Sequence, residues 1–275
     1  MITLYSGVNI SIMLPTRKRV ALLKRSLESI LSTVSDITNI EILFAVDDDD
    51  VETLEYINNI VIPEFNARNI IAKIFIMQRM GYNKLHHYYN YLAYNSMGKW
   101  LLLWNDDAIM CDNGWDLEIM KYDGQFKLLR FQENHFDHPN ALFPCVPRDW
   151  VMLFDRLSDV PEIDSWVSQI CYLNDIVENI QSKIFHDRHD ITNNNYDEVV
   201  RDKLSSFNES DDSDISSMVH PKMLELKVQW AAKVSWYLEK TNQNNGWFAK
   251  FILDKNFDAW SKFKIADKHN QCYVK

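Results

Sequence analysis

The chain has 275 residues, 47% of them hydrophobic and 25% charged, the proportions of a soluble globular protein long enough to bury a core unaided. Lys and Arg number 29 against 39 Asp and Glu, a formal net charge of −10, which argues against bulk affinity for nucleic acid or an anionic membrane. Only 6 glycines are present, so a glycine-rich phosphate cradle is not expected. Cys111, Cys145, Cys171 and Cys272 form no Cys-x-x-Cys pair and read as free thiols in a reducing compartment. Residues 1–9 show no secretory signal, and no stretch reaches the ~20 apolar residues of a membrane helix. A cytoplasmic protein is expected.

Ile10 to Leu14 is a short apolar run stopped by Pro15 and predicts a buried strand. Val20, Leu23, Leu27, Ile30, Leu31 and Val34 then mark one face of a helix. Ile40 to Val46 predicts a second strand, ended by Asp47, Asp48, Asp49 and Asp50, and Val51 to Ile60 a second helix. Ile70 to Met77 predicts a third strand; Leu85, Tyr88, Tyr89, Leu92 and Ala93 give a third helical face. Lys99 to Trp104 predicts a fourth strand that runs into Asn105, Asp106 and Asp107. Apolar strands alternating with amphipathic helices imply a mostly parallel sheet covered on both faces, with ligands bound at the carboxyl ends of its strands.

Beyond Asp107 the pattern loosens. Lys127 to Gln132 and Ala141 to Val146 predict strands, Trp150 to Phe154 and Trp166 to Leu173 helices, and Ser182 to Phe185 a short strand leading to His186. Asn208 to Ser217 reads as an acidic surface loop, and Pro221 opens a long helix to about Lys240.

Three clusters gather at the predicted strand ends. Asn105-Asp106-Asp107 offers the oxygen ligands that Mg²⁺ or Mn²⁺ shares with substrate phosphates, although Asn-Asp pairs also form plain turns. In Asp47 to Asp50, four adjacent carboxylates repel one another. One or two suit a nucleobase or ribose, and the others suit solvent or a helix cap. In Pro15-Thr16-Arg17-Lys18-Arg19, Pro15 ends the strand and Thr16 is placed to cap the next helix. Arg17 and Arg19 stand near that helix N-terminus, where cations oppose the dipole, so local stability explains them poorly. Arg79 and Lys84 flank Gly81 in the loop after the third strand and are candidate diphosphate contacts.

The segments ISIMLPTRKR, EILFAVDDDD and GYNKLHHYYNYLAYNSMGKWLLLWNDDAIM together resemble glycosyltransferase family 2 on the GT-A fold. The resemblance covers residues 8–110 and extends loosely to about residue 200. It implies an α/β fold with a mostly parallel central sheet flanked by helices. Residues 1–107 would form a nucleotide-sugar-binding half, 108–207 an acceptor-binding half, and 218–275 a helical C-terminal extension. It further implies a metal-dependent, inverting transfer of sugar from a nucleoside-diphosphate donor, with UDP the favoured carrier, to an acceptor hydroxyl. In this family an Asp after the second strand reads the nucleobase, which falls on Asp47 or Asp48. The DxD motif falls on Asn105 to Asp107, with Asp107 at the metal position, Asn105 or Asp106 facing the ribose, and Asn105 standing where Asp is usual. Pro161-Glu162-Ile163-Asp164 resembles the family's acidic motif, making Asp164, then Glu162, the candidate general base; the alternative is a helix cap. In His186-Asp187-Arg188-His189-Asp190, either His186 or His189 is a candidate metal contact. Asp197 and Glu198 are candidates to border the acceptor, which is a glycan, a lipid-linked sugar or a small molecule. His86 and His87 read as packing or solvated residues.

The C-terminal aromatics Trp247, Phe248, Phe251, Phe257, Trp260 and Phe263, interleaved with lysines, suit a tail packed on the core, with peripheral membrane contact as the second reading. Oligomeric state is left open. Two other functions fit parts of the chain. Asp47-x-Asp49-x-Val51 matches a phosphohydrolase nucleophile motif, but it follows the second strand and no Gly-Asp pair exists to complete it. A non-catalytic nucleotide-sugar or glycan binder on the same scaffold is compatible with Asn105.

Overall fold

A computed structural model describes residues 7–135, 138–209 and 221–243. In chain order its elements are β1 (Ile10–Thr16), α1 (Val20–Thr33), β2 (Ile40–Asp47), α2 (Val51–Tyr56), α3 (Ile62–Ala67), β3 (Ile71–Met77) and α4 (Leu85–Asn95). There follow β4 (Trp100–Leu103), β5 (Ala108–Met110), α5 (Trp115–Met120), β6 (Leu128–Glu133), β7 (Cys145–Pro147), α6 (Asp149–Phe154) and α7 (Ile163–Leu173). The last are β8 (Val177–His186), α8 (His189–Thr192), α9 (Glu198–Glu209) and α10 (Pro221–Lys240).

The described strands join one sheet in the order β3-β2-β1-β4-β7-β6-β8-β5. β1 pairs in parallel with both β2 and β4, and β2 with β3. The chain therefore steps outward from β1 to β3 and returns to β1's other side at β4. A crevice opens at such a reversal, outside the carboxyl ends of the strands. The expected parallel pattern describes this half. The other half is mixed, with β7 antiparallel to β4 and β6, β8 parallel to β6, and β5 antiparallel to β8. Antiparallel partners need no crossover helix, which is why the strand–helix alternation fades after Asp107.

The strand alternation sorts side chains into two cores. Ile10, Ile12 and Leu14 of β1 pack with Leu23, Leu27 and Ile30 of α1, Phe65 of α3 and Trp115 of α5. Met13 points the other way, with Tyr89 and Leu92 of α4, Trp150 of α6, Trp166 of α7 and Trp230 of α10. The rings of Phe154 and Trp230 stack 4.0 Å apart, which fastens α10 to the body. α2 and α3 are one rod joined by a π turn at Ile57–Val61. Pro63 follows that turn, and its missing N–H breaks the regular ladder. The predicted helix ended at Ile60; the rod runs on to Ala67. β5, α5, α8 and α9 are elements the local pattern did not predict, and β8 is longer than the predicted Ser182 to Phe185.

Cys111, Cys145 and Cys171 are free thiols; Cys272 lies outside the described residues. So do the C-terminal aromatic run and most of the acidic segment expected at 208–217, whose first two residues close α9. Of the expected C-terminal extension, 221–243 is described and is α10 with its end. No helix among the described residues is long and apolar enough to cross a membrane.

Opposite the crevice, a buried polar knot ties the sheet to the start of β4. Ser11 Oγ donates to Glu41 Oε1 at 2.6 Å and accepts from Gly98 N at 2.7 Å, while Lys73 Nζ lies 3.3 Å from Glu41 Oε2. Glu41 is completely buried, so these partners are what make its charge tolerable. A Cβ on Gly98 would stand 2.5 Å from Ser11 N and 2.8 Å from Ile10 C, both backbone atoms. Gly98→Ala is therefore expected to lower stability by about 1–3 kcal/mol in denaturant titration, through overpacking.

Glu133 at the end of β6 is a second buried acid. Its Oε1 accepts from Leu142 N at 2.9 Å and Phe143 N at 3.3 Å, and its Oε2 has no hydrogen-bond partner. Burial pushes its carboxyl up to about 7, from an ordinary value of 4.5. A raised carboxyl favours the folded state below the unfolded value and loses that advantage as pH climbs toward the folded one. Glu133→Gln removes this loss. The stability of the variant relative to the parent is expected to grow by about 3 kcal/mol between pH 4.5 and 7, read from denaturant midpoints at each pH.

Candidate active site

One cavity of about 220 Å³ opens at the carboxyl ends of β1, β2 and β4. Its walls bring together Pro15, Thr16, Arg17, Arg19, Asp47, Arg79, Asn105, Asp106, Asp107, Asp164 and His186, all singled out from the sequence. β1 places Pro15 and Thr16, and the turn into α1 places the two arginines. Lys18 takes the left-handed conformation (φ 52°) in that turn, and its backbone N–H donates to Asp50 Oδ2 at 2.6 Å. Thr16 does not cap α1 as expected. The N-cap position is Arg19, and Thr16 Oγ1 donates instead to Asp106 Oδ2 at 2.8 Å.

Asp106 and Asp107 are adjacent and both 5% exposed, so their charges need compensation in place. Arg19 Nη1 lies 3.1 Å from Asp106 Oδ1 and 3.4 Å from Asp107 Oδ2. His186 Nε2 lies 3.1 Å from Asp107 Oδ1. Sheet register makes that last contact: Ala108 faces His186 across β5 and β8, and Asp187 N donates to Asp107 O at 2.9 Å. Burial pushes the Asp106 carboxyl up to about 6, with Arg19 opposing and Asp107 adding to the rise. Against the same burial, the hydrogen bond and charge of His186 hold Asp107 down at about 2. Asp107 is thus the more firmly ionised of the two at neutral pH.

Asp107 and His186 suit a divalent cation. Two adjacent ligands on an octahedral ion, each at ~2.1 Å, stand ~3.0 Å apart, and this pair is spaced accordingly. No group of three or more His, Cys, Asp or Glu among the described residues forms a complete cage. Mg²⁺ and Mn²⁺ in phosphate sites commonly take one or two protein ligands and leave the rest to water and substrate. His186 Nδ1 is buried with no hydrogen-bond partner, so Nε2 carries the ring's polar contact.

Asn105 fills its place without a charge: its Oδ1 is 2.9 Å from the Tyr89 hydroxyl, which is also 2.8 Å from the Trp104 carbonyl. Asp47 accepts from Arg17 Nη1 at 3.0 Å and from the Tyr88 hydroxyl. Burial raises its carboxyl while Tyr88 and Arg17 pull it down. Of the other aspartates in the run, Asp50 caps α2 by accepting from Thr53 N at 3.2 Å, and Asp48 and Asp49 point outward. Gly81 (φ 76°) turns the loop after β3 along the cavity wall, a conformation that favours glycine.

Six predicted residues stand outside the lining, among them Asp197 and Glu198, which were expected to border the acceptor and pair with Arg19, Arg17 and Lys18 instead. Asp48 is exposed and accepts from Arg79 N at 3.2 Å. Lys84 is exposed at the start of α4. Glu162 is the N-cap residue of α7, two residues before Asp164, and burial pushes its carboxyl up to about 7. His189 turns its Nδ1 to Asn194 O at 2.9 Å and packs on Tyr196. His86, read as a packing residue, is buried, and burial lowers it to about 4; His87 is exposed.

The sequence reading missed a wall of the cavity. Tyr82, Tyr88, Tyr89 and Arg188 line it, as do Val199, Val200, Asp202 and Lys203 from α9. Tyr88 and Tyr89 were visible only as part of a helical face, and Tyr82 lies in the turn before it. Of α9 only Asp197 and Glu198 at its start were singled out, as acceptor-site candidates, because its ties are to residues far away in the chain. Asp197 grips Arg19 through both carboxylate oxygens, at 2.6 and 2.9 Å. Glu198 lies 3.4 Å from Arg17 Nη2 and 2.9 Å from Lys18 Nζ. Asp202 lies 2.8 Å from Arg79 Nη2.

No protein-family model matches the chain, and no curated protein sequence matches it. Solved structures do. The mannosyltransferase PcManGT of Pyrobaculum calidifontis, in complex with GDP-Man and Mn²⁺, superposes with a TM-score of 0.56 over 93% of this chain and 81% of its own, at 11% identity. Residues 1–349 of S. aureus TarS match with UDP bound (TM-score 0.53, 11% identity, 87% of this chain and 74% of that one). They match with UDP-GlcNAc bound at 0.52, with 12% identity over 87% and 75%. At such identity the likeness is one of fold, and the chain has the GT-A-like fold of these glycosyltransferases.

Proposed function

We propose that the protein is a metal-dependent glycosyltransferase that moves a sugar from a nucleoside-diphosphate donor, UDP-linked by preference, to an acceptor hydroxyl with inversion. The observation that carries this is the meeting of Asp106, Asp107, His186 and Asp164 around one cavity at the strand ends. The structural neighbours with UDP, UDP-GlcNAc or GDP-Man bound support the donor class. The phosphohydrolase motif gains no comparable support, because it stands at the end of β2 and no Gly-Asp pair completes it.

Asp107 and His186 would hold the metal ion, which when bound neutralises charge on the departing diphosphate. Asp106, fixed by Thr16 and Arg19, suits the ribose hydroxyls, and Asp47 suits the base edge. Asp164 lies in the first turn of α7 and lines the cavity, whereas Glu162 does not, which favours Asp164 as the general base. Its carboxylate takes the proton of the acceptor hydroxyl as that oxygen bonds to the anomeric carbon. The bond from that carbon to the diphosphate oxygen breaks on the opposite side, and the nucleoside diphosphate leaves with the bonding pair. One displacement at the carbon inverts its configuration.

The direct test is release of nucleotide from UDP-, GDP-, dTDP- and CMP-sugars, with and without Mn²⁺. One donor is expected to be hydrolysed only with metal, and Asp107→Ala is expected to abolish that release. Absence of metal-dependent release or binding with every donor would overturn the proposal. Asp164→Asn is expected to cut kcat by about 100-fold or more while donor Kd stays within a few-fold, since the base acts on the acceptor. An equal loss in donor affinity would remove Asp164 from that role.

A further inference from the structure

The arginines expected to meet the donor are already engaged. Arg19 spends Nη1 on Asp106 and Asp107, and Nε and Nη2 on Asp197. Arg17 is held by Asp47, Asp49 and Glu198, and Arg79 by Asp202 with Asp49 and Glu198 nearby. Three of these carboxylates, Asp197, Glu198 and Asp202, lie at the start of α9, so the arginines together fasten that helix along the cavity. α9 also packs on the turn Tyr82–Lys84. The clasp sets one face of the helix, Val199, Val200 and Lys203, into the cavity wall.

Lys203 is the cation this arrangement delivers. It shares the lining with Asp107, Asp164 and Arg188, and its ammonium stands 5.8 Å from the centroid of the Tyr82 ring. Its charge interacts with Arg188 and Asp190 and, after them, with Asp164, the candidate base, and Asp107, the candidate metal ligand. In the proposed donor site, a donor held by Asp107 and attacked beside Asp164 would bring its diphosphate to the wall that these residues share with Lys203. A strongly hydrated point charge on a flexible stem suits a phosphate whose charge grows as its bond to sugar breaks. We infer that Lys203 binds the donor's diphosphate, and that the clasp of α9 by Arg17, Arg19 and Arg79 is what positions it. The inference rests on the proposed donor site. It gives the three arginines a positioning role in place of direct phosphate contact.

Calorimetry with three probes separates the contributions: inorganic pyrophosphate, UDP and uridine, each with Mg²⁺. Lys203→Gln is expected to weaken pyrophosphate and UDP by about 10-fold or more and to leave uridine unchanged. Lys203→Arg, which keeps the charge, is expected to recover most of the loss. The triple change Asp197→Asn, Glu198→Gln and Asp202→Asn is expected to weaken UDP by a few-fold at unchanged uridine affinity, with thermal unfolding confirming that each variant is folded. Tighter UDP binding in the triple variant would mean that the acids compete with phosphate for the arginines, and would overturn the inference. So would pyrophosphate and UDP affinities unaltered by Lys203→Gln, with the donor site itself left standing. Wild-type protein that binds neither pyrophosphate nor UDP would overturn the inference and the donor site together.

Discussion

Two neighbouring carboxylates buried at the end of a strand impose a demand that the surrounding chain is arranged to meet. Asp106 and Asp107 are each 5% exposed, and removing either charge's partners would leave an ion in a poorly solvated place. The response comes from three directions. The turn after β1 contributes Thr16 and Arg19, β8 contributes His186, and the start of α9 contributes Asp197 on the far side of Arg19. Arg19 is therefore a hub between the sheet and α9. The environment also divides the two acids, with Asp106 pushed up and Asp107 held down, which leaves one firmly ionised carboxylate beside an imidazole.

The two ends of the strands do different work. The amino end, with Ser11, Glu41, Lys73 and Gly98, is closed, its polar groups spent on one another and backbone atoms too near for a methyl group at Gly98. The carboxyl end opens on a cavity that Asp107, Asp164 and Lys203 line. Parallel strands turn all their carboxyl ends the same way, so short strands from distant parts of the chain can supply one site. The cost of holding like charges there is met by ion pairs that also fix the position of α9.

The first half of the fold could be read from local patterns. Ile10, Ile12 and Leu14 alternate, and Leu23, Leu27 and Ile30 repeat at helical spacing, so β1 and α1 announce themselves within twenty residues. Continuous apolar runs located β2, β3 and β4, and a polar run at a parallel strand's carboxyl end indicated Asp47, Asp106 and Asp107. The reading weakened where pairing became antiparallel and strands became short. β5 has three residues and β7 three, too few to show a period. Thr16 was misassigned as a cap because a hydroxyl before a helix suits a cap equally well by sequence; only Asp106, ninety positions away, decides its partner.

Sequence alone determined the order of strands and helices in residues 10–104, the reversal-point chemistry of Arg, Asp and Asn at the strand ends, and the resemblance that follows from both. These rest on periodicities of two and 3.6 and on turn residues, which act between near neighbours. The tertiary structure decided which histidine meets Asp107, which of the two acids around residue 163 lines the cavity, and that the arginines of the first turn hold α9. Each of these depends on sheet register or on ion pairs between segments far apart in the chain. His186 faces Asp107 across 79 positions and Asp197 faces Arg19 across 178, separations at which no local pattern carries information.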